Sequence, residues 1–336
     1  MRIGIIGTGF MGSTHAAAWK TAGAVISGVT AQPLAEAEGL AKQYGAKIYP
    51  SLEAMLPDID VVDICTPTHL HYDMILQAAE AGKPIVCEKP LCRTVEQAQE
   101  AVRFCHARGV KLMVAHVVRF FPEYAQAKKA VMDGMVGKVG VIRLGRKSFQ
   151  PKKAQDNWYV DFEKSGGIMM DLMIHDFDYA RWIAGDVETV FAKSILHSPL
   201  KASFDHGLVI LTHKSGAISH IEGSWAYPPP MFVTDFEIAG SEGLLTHHSL
   251  DTAPLAVYLK EKGAKDEGYV AVPASPLSED PYTTEIKAFY HHLVDQTPLP
   301  VKAGDGLAAV QIAVAAIESA KTGKPVRLES LSEVQL

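Results

Sequence analysis

The stretch "RIGIIGTGFMG", residues 2–12, decides the fold of this chain. A strand-like apolar run leads into three glycines with the spacing G-x-G-x-x-G, and a helical pattern starts near Ser13. Gly7 is expected to make the tight turn, Gly9 to let the backbone approach a pyrophosphate, and Gly12 to let helix and strand pack closely. Amides at the helix N-terminus then face the phosphates. The cofactor contacts predicted for this loop are Gly7, Gly9, Phe10, Met11 and Gly12.

The rest of the first half repeats an alternation of strand and helix. The apolar runs "AVISGVT", "AKIY", "VVDICT", "PIVCEKP" and "VKLMVAHVV" follow, with helical patterns starting near Leu34, Ser51, His69 and Thr94. This alternation is typical of a parallel sheet covered on both faces. We therefore predict a doubly wound α/β domain, a Rossmann dinucleotide-binding domain, over residues 1–119.

The pattern changes after residue 119. A helix at about Pro122–Met132, a strand at 139–149, a polar loop with "NWYVDF" and a helix at about Gly167–Ile183 come first. Several runs between 187 and 260 follow, joined by the turn sequences "KSGA" and "GSEG", which predicts an antiparallel sheet. A helix pair near Thr283–Asp295 and Asp305–Thr322 closes the chain. We predict an α+β domain with a large open antiparallel sheet over 120–336, the last helix being able to pack back on the first domain.

Composition limits the classes of function. The 336 residues suffice for roughly two domains of about 150 residues each. With Lys+Arg at 32 and Asp+Glu at 38, the formal charge is -6. The sequence has no long basic run, so a nucleic-acid partner is not expected. No apolar run reaches the roughly 18 residues of a membrane span, and the start does not read as a signal peptide, so a cytoplasmic location is expected. The four cysteines have no CxxC pair and are interpreted as reduced thiols.

Ala31 stands at the end of the second predicted strand, where an acid commonly binds the adenosine ribose. Without a carboxylate there, a 2'-phosphate would not be repelled, but no Arg adjoins it to attract one. The sequence therefore predicts NAD or NADP and leaves the choice open.

The motif "CTPTHLH", residues 65–71, lies where a strand ends and a helix begins. Ligands bind outside the carboxyl ends of strands in open α/β sheets, so Thr66, Pro67 and His71 are predicted to lie near the cofactor. An ordinary strand-to-helix turn is the alternative. His69 and His71 could also be surface residues, and no acidic partner supports a metal pair, so no metal site is predicted.

The motif "CEKP", residues 87–90, ends the next strand. Glu88 and Lys89 are predicted to face the same crevice. There, desolvation and the nicotinamide would tune Lys89 to polarise a substrate oxygen. An isolated Lys is more often a solvated surface group.

The stretch "GGIMMDLMIHDFD", residues 166–178, carries three titratable groups on one predicted helix. Asp171 and His175 are four apart and share a face, and Asp178 continues it one turn later. Gly166 and Gly167 would let the backbone run close to a ligand. Taken alone, this pattern favours a buried helix in which a carboxylate forms a hydrogen bond with the histidine. If a nicotinamide site lies opposite the helix, the catalytic interpretation is favoured instead.

In this order, "GTGFMG", "CTPTHLH", "CEKP" and "GGIMMDLMIHDFD" resemble the Gfo/Idh/MocA family, the relatives of glucose-fructose oxidoreductase and inositol dehydrogenase. The resemblance covers nearly the whole chain, although Thr68 replaces a common Asn and Ala31 the common acid. It implies that His175 is the general acid/base and that Asp171 orients its ring or holds a substrate hydroxyl. The fixed carboxylate should favour the protonated imidazole. Lys89 would bind the reacting oxygen and stabilise alkoxide charge.

The resemblance also implies a substrate class: sugars, inositols or related polyols and their keto forms. The candidate substrate contacts are His116, Arg119, Asn157, Trp158 and Tyr159, each of which could instead serve packing. The expected enzyme is an NAD(P)-dependent dehydrogenase or reductase acting on CH-OH groups. It is expected to form a homodimer or homotetramer. A lyase or glycosidase with a transient redox cycle, and a non-catalytic NAD(P)-sensing regulator, remain alternatives.

Overall fold

The computed structural model describes residues 1–151, 157–196, 205–251, 255–259, 268–272 and 279–331. Its first half confirms the predicted parallel sheet, whose strands are β1 (Arg2–Ile6), β2 (Val25–Thr30), β3 (Lys47–Ile48), β4 (Val61–Ile64), β5 (Ile85–Glu88) and β6 (Leu112–Ala115). All neighbours run parallel, in the order β3-β2-β1-β4-β5-β6. The strand order reverses between β1 and β4, so a crevice forms outside their carboxyl ends, where ligands of such sheets bind.

Helices connect these strands: α1 (Phe10–Thr21), α2 (Glu38–Tyr44), α3 (Leu52–Met55), α4 (His71–Glu80) and α5 (Val95–Ala107). The strands β4, β5 and β6 are buried at every position. Their continuous apolar character follows from helices covering both faces of the sheet.

The described part of the second half contains a nine-stranded sheet. Its strands are β7 (Val139–Lys147), β8 (Val187–Ser194), β9 (His206–His213), β10 (Ile218–Ser224), β11 (Val233–Gly240), β12 (Gly243–His248), β13 (Leu255–Leu259), β14 (Gly268–Val272) and β15 (Val326–Arg327). Their order is β14-β13-β12-β11-β7-β10-β9-β8-β15. The prediction of an antiparallel sheet is confirmed for most pairs but is wrong for β7 and β10, which pair in parallel. These two strands are not joined by a hairpin, since the three helices α7, α8 and α9 and the two strands β8 and β9 lie between them in the chain.

The helices of this half are α6 (Pro122–Met132), α7 (Phe162–Ser165), α8 (Gly167–Asp171), α9 (Ile174–Ala184), α10 (Pro281–Asp295) and α11 (Ala303–Thr322). The single helix predicted from Gly167 to Ile183 is wrong, because α8 and α9 are separate. The amide of Met173 donates to the carbonyl of Ile168, five residues back, at 2.9 Å, and the next turn begins with Asp176 N–H on the Met173 carbonyl at 3.0 Å. This change of hydrogen-bond spacing breaks the helix directly after Asp171.

Helices α10 and α11 pack back on the first domain. Helix α10 lies against α1, and α11 lies against α5, β6 and α9. Gly306 allows the close approach of α11 to β6, since a Cβ there would come within 2.8 Å of Val114 Cγ2. By length and composition α11 could cross a membrane, but 72% of its apolar window is buried inside the fold, as expected of a core helix.

Candidate active site

The glycine loop between β1 and α1 has the geometry of a phosphate cradle. Gly7 has a φ of +88°, which favours glycine, and a Cβ at Gly12 would stand 1.9 Å from the Gly7 carbonyl oxygen. A Cβ at Gly9, in contrast, would meet nothing within 4 Å. Gly9 caps α1 without any side-chain hydrogen bond, and the first turn of α1 has no acidic residue. Free amides at the positive end of a helix, beside open space, fit a dinucleotide pyrophosphate.

Ala31 follows β2 directly and is 7% exposed. The Gly7 amide donates to the carbonyl of Thr30 at 3.0 Å, so the glycine loop is tied to the end of β2. The hydroxyl of Thr8 donates to the carbonyl of Glu36 at 2.8 Å and closes the loop against the segment after β2. The site predicted for the adenosine ribose therefore adjoins the loop, and Ala31 contributes no carboxylate to it.

The turn after β4 is held by a buried histidine. His71 is fully buried, its Nδ1 lies 2.8 Å from the carbonyl of Pro90, and its Nε2 lies 2.8 Å from the carbonyl of Thr66. Burial lowers the pKa of His71, although both carbonyls oppose the shift. The ring therefore links the turn after β4 to the turn after β5. Its contact with a cofactor stays a prediction, as it does for Thr66 and Pro67.

Lys89 joins the two halves of the molecule. It follows β5 directly, and its Nζ donates to the carbonyl of Asp171 at 2.8 Å and to Oδ1 of the same residue at 3.3 Å. Asp171 is the last residue of α8, where unsatisfied carbonyls attract a cation. The two side chains keep 16% and 12% of their surface exposed. Lys89 is thus fixed at the crevice with enough access to meet a ligand.

His175 lies in the first turn of α9, one turn beyond Asp171. Its ring is partly exposed, but Nδ1 is buried and has no hydrogen-bond partner among the described residues. Burial, followed by the positive charges of Lys89 and Arg146, holds the pKa of His175 well below its usual value. The expectation that Asp171 favours the protonated imidazole is therefore wrong for this structure. No hydrogen bond joins Asp171 to the ring, since the Asp171 carboxylate faces Lys89.

Asp178 and Arg119 form a buried ion pair. Arg119 Nε donates to Oδ2 of Asp178 at 2.7 Å, and Nη2 donates to Oδ1 at 2.5 Å. Arg119 Nη1 donates to the Pro300 carbonyl at 3.0 Å and to Asp305 at 3.2 Å. The guanidinium side chain is only 3% exposed, and these partners occupy its three nitrogens. Arg119, a candidate substrate contact, therefore ties the end of the first sheet to α9 and α11.

His116 lies beside this pair. It follows β6, is 1% exposed, and neither ring nitrogen has a hydrogen-bond partner among the described residues. The nearest carboxylate oxygen recorded for it is Oδ2 of Asp178, 3.9 Å from Nδ1. Burial lowers the pKa of His116, so the ring is neutral near pH 7.

A second buried cluster, formed by His15, Trp19 and Asp63, adjoins Glu88. The sequence analysis did not predict these three residues. His15 Nε2 lies 3.3 Å from Glu88 Oε1, and Nδ1 lies 3.0 Å from Asp63 Oδ2, which also accepts from Trp19 Nε1 at 2.7 Å. Burial acts to lower the pKa of His15, but Asp63, helped by Cys65, outweighs it and raises the pKa well above its usual value. The signal was present in the sequence, because Asp63 is a charged residue inside the buried strand β4.

The cluster also meets the distance requirement of a metal site. The ligand atoms of His15, Asp63 and Cys65 lie within 4.8 Å of one another. Their separations of 3.0 to 3.4 Å are those of hydrogen bonds, and burial raises the pKa of the Cys65 thiol. The structure shows these three side chains as a hydrogen-bonded cluster. All four cysteines are free, as predicted.

The loop with the sequence "NWYVDF", residues 157–162, places the candidate substrate residue Tyr159 close to the crevice. Tyr159 stacks on Trp158 with ring centroids 4.0 Å apart. Burial, followed by the charges of Asp171 and Glu88, raises the pKa of Tyr159, so its hydroxyl remains a hydrogen-bond donor. Asn157 donates to the carbonyl of Pro151 at 3.1 Å. Asn157 Oδ1 and Trp158 Nε1 are buried without a partner in the described part of the chain.

Gly166 and Gly167 serve the protein's own packing. Their φ values are +77° and +71°. A Cβ at Gly166 would come within 2.6 Å of the Met170 side chain, and one at Gly167 within 3.2 Å of Phe162. Side chains of the protein thus face these two glycines, and the approach of their backbone to a ligand stays a prediction.

The fold and the glycine loop define a dinucleotide-binding oxidoreductase, and comparison with known proteins gives the family. Residues 1–116 match the family described as oxidoreductase family, NAD-binding Rossmann fold, of the Gfo/Idh/MocA group, and residues 124–246 match the GFO/IDH/MocA C-terminal domain. The chain belongs to the Gfo/Idh/MocA family.

Relatives with known names cover almost the entire chain. Inositol 2-dehydrogenase of Rhizobium meliloti is 31% identical, over 95% of this chain and 96% of that protein. Myo-inositol 2-dehydrogenase of Thermotoga maritima is 29% identical, over 98% and 99%. Among solved structures, levoglucosan dehydrogenase in complex with NADH and L-sorbose superposes with a TM-score of 0.88 at 25% identity, over 98% of this chain and 99% of that one.

Proposed function

We propose that this protein is an NAD-dependent dehydrogenase that oxidises a secondary alcohol of a cyclic polyol or sugar, or reduces the matching ketone. The observation that carries the proposal is the placement of Lys89 on Asp171, at 2.8 Å from its carbonyl and 3.3 Å from its carboxylate, with His175 one turn further along. A cation, a carboxylate and a neutral imidazole then converge at the carboxyl end of β5, beside the glycine loop. The names of the inositol and levoglucosan dehydrogenases support this reading.

The residues at the crevice suit the parts of NAD. The amides of Phe10 and Met11, at the uncapped start of α1, would hold the pyrophosphate over Gly9, where a Cβ would meet no atom. Glu88, kept in place by His15, would face the nicotinamide end. When bound, NAD supplies the hydride acceptor at its nicotinamide ring.

The proton and the hydride then have separate destinations. In the oxidation direction the substrate C–H bond breaks and its electron pair leaves as a hydride, while the hydroxyl proton passes to His175. The lowered pKa of His175 keeps the imidazole neutral and able to accept that proton. Lys89 donates to the reacting oxygen and stabilises the negative charge that develops on it. The carbonyl product, NADH and one proton balance the reaction.

Polyol recognition follows from the donors and acceptors around this centre. The Asp171 carboxylate can accept from a hydroxyl next to the reacting carbon, and the Tyr159 hydroxyl can donate to another. Trp158 and Tyr159 form an aromatic wall that a ring with axial C–H bonds can stack on. These features select a polyhydroxylated ring over an acyclic alcohol.

The experiment measures NADH formation by absorbance, with NAD or NADP and a panel of inositols, anhydro sugars and aldoses. Lys89→Ala is the test variant, and Lys42→Ala, on the exposed side of α2, is the matched control. NADH formation by the wild type and the control, and its loss in Lys89→Ala, would support the proposal. Tight retention of NAD with turnover of substrate and no net NADH would instead favour a transient redox cycle.

The open face of the second sheet supports self-association. Leu208 and Ile210 on β9 and Ile218 on β10 are 54%, 42% and 40% exposed and share this face, because Ile210 pairs with His220 and Ile218 with Thr212. We include in the proposal a homodimer or homotetramer that covers this face, in the cytoplasm. Light scattering after size-exclusion chromatography should give a multiple of 36.4 kDa, and Ile210→Lys should lower it. A monomer in the wild type would contradict this part.

A further inference from the structure

Three buried ring nitrogens beside the crevice have no hydrogen-bond partner among the described residues: Nδ1 of His175 and both nitrogens of His116. Buried polar atoms without a partner are rare in folded proteins because each loses its hydrogen bonds to water without a replacement. Three such atoms on two neighbouring elements indicate one shared cause. Each ring can supply what the other lacks, since a neutral imidazole is a donor at one nitrogen and an acceptor at the other.

Asp178 relates the positions of the two histidines. His175 and Asp178 are three apart on α9 and therefore share one face of that helix. Asp178 Oδ2 lies 3.9 Å from His116 Nδ1. The bidentate pair of Asp178 with Arg119, three residues after His116, fixes the segment that follows β6 against this face of α9.

The two nitrogens of His175 have different surroundings. Nδ1 is buried, while the ring as a whole keeps some exposure, so Nε2 is the nitrogen on the accessible edge. A base that receives the substrate proton at Nε2 must carry its own hydrogen on Nδ1. That hydrogen needs an acceptor, and the Asp171 carboxylate, engaged with Lys89, does not provide one.

We propose that His116 is a positioning residue that accepts, through one enclosed water, the hydrogen bond donated by Nδ1–H of His175. This interaction fixes His175 in the tautomer whose Nε2 can take the substrate proton, and it rests on the proposed dehydrogenase function. His116 accepts at Nε2 and directs its Nδ1–H toward Asp178. Both oxygens of Asp178 accept hydrogen bonds from Arg119. The role of His116 is therefore to orient the base.

Among the titratable groups that act on His175, His116 is the one that can accept a hydrogen bond. Lys89, Arg146 and His116 are the charged or titratable groups that act on His175, and the first two carry only donors. Arg146 is moreover committed to Asp176, with both of its hydrogen bonds at 2.8 Å. Around His116 the corresponding groups are Asp178, Arg119, Asp305 and Lys89.

The test reads the tautomer directly. In protein labelled with ¹⁵N-histidine, the ring nitrogens of His175, assigned with His175→Gln, should show a protonated Nδ1 and an unprotonated Nε2. In His116→Leu this signal should shift toward the other tautomer or a mixture. His116→Gln should restore it, because the Gln amide oxygen is also an acceptor. The wild-type spectrum alone overturns the proposal if His175 carries its proton on Nε2, so the test does not depend on the folding of a variant.

Kinetics and binding give the second readout. We expect His116→Leu to lower kcat by at least about tenfold, with KM and the Kd for NADH within about threefold, and His116→Gln to recover most of kcat. Equal loss in both variants, or an unchanged His175 tautomer in His116→Leu, would overturn the proposal. Because the tautomer is read without substrate, a protein with the expected tautomers but no dehydrogenase activity would count against the proposed function alone.

Discussion

The ammonium of Lys89 donates to the carbonyl oxygen of Asp171 at 2.8 Å, so a cation at the end of the first sheet is held by a helix end of the other half of the molecule. The break between α8 and α9 makes this possible, because it leaves Asp171 at a helix C-terminus. Lys89 is thereby held in place before any substrate arrives. Such preorganisation is the usual source of electrostatic stabilisation in a transition state.

Replacement of Lys89 by Met should lower kcat/KM for alcohol oxidation by at least about 10²-fold, since it removes the donor to the developing alkoxide. The Kd for NADH, measured by fluorescence titration, should change by less than about fivefold, because Lys89 acts on the reacting oxygen. Lys42→Met is the control and should match the wild type in both values. A large loss of NADH affinity with unchanged kcat would show that Lys89 serves the cofactor instead.

The pH dependence of oxidation should reflect a neutral His175. Burial and the charges of Lys89 and Arg146 lower its pKa, so the imidazole stays unprotonated as the pH falls through about 6.5, the ordinary histidine value. We therefore expect kcat/KM to stay level across this value and to drop only at lower pH, where His175 gains a proton and can no longer act as a base. In His175→Gln this limb should be absent and kcat about 10²-fold or more lower. A midpoint above 7 that disappears in His175→Gln would contradict this assignment.

Replacement by alanine should have different effects at Gly9 and Gly12 of the glycine loop: weaker NADH binding at Gly9 and lower thermal stability at Gly12. Gly9→Ala places its Cβ in open space at a φ of -72°, so the thermal midpoint should stay unchanged while the Kd for NADH rises about tenfold, because the methyl group occupies the space for the pyrophosphate. Gly12→Ala brings a Cβ to 1.9 Å from the Gly7 carbonyl oxygen, which is backbone and cannot move away cheaply. We expect a clear loss of thermal stability there. Calorimetry on both variants checks the contrast, which a destabilised Gly9→Ala would contradict.

The pair of Arg119 with Asp178 should matter more for stability than for substrate affinity. Arg119→Met leaves Asp178 buried without its partner, and the free energy of unfolding should fall by about 3–5 kcal/mol. Arg143 and Glu237, which are 56% and 46% exposed, form a matched surface pair. Arg143→Met should cost no more than about 1 kcal/mol. Urea titrations measure both, and a stable Arg119→Met protein with a raised KM would restore Arg119 to the substrate contacts.

The sequence predicted the first domain well because its signals are local. Strand runs and a glycine loop depend on neighbouring residues, and the six-stranded order follows from the rules of doubly wound sheets. The position of Lys89 at a strand end also followed from these rules. Its partner did not, because the contact with Asp171 spans 82 residues and depends on how the two halves dock.

The errors have physical reasons too. The spacing of Asp171 and His175 predicted a shared helical face, but the Met173 amide bonds five residues back and ends α8 between them. Arg119 and Asp178 pair across two sequence segments whose packing no periodicity reveals. The buried cluster around His15 was missed because its members lie far apart in the chain, although a charge within the apolar strand β4 indicated a partner.

The most direct test of hydride transfer from the substrate to NAD follows the transferred hydrogen with deuterium. The substrate that gives the highest rate is prepared with deuterium at the reacting carbon, and the cofactor is analysed by mass spectrometry after turnover by the wild type and by Lys89→Met. The account predicts one deuterium per NADH formed, in amounts equal to the ketone, and a strongly reduced rate in the variant. Turnover of substrate with unlabelled cofactor and no net NADH would contradict it.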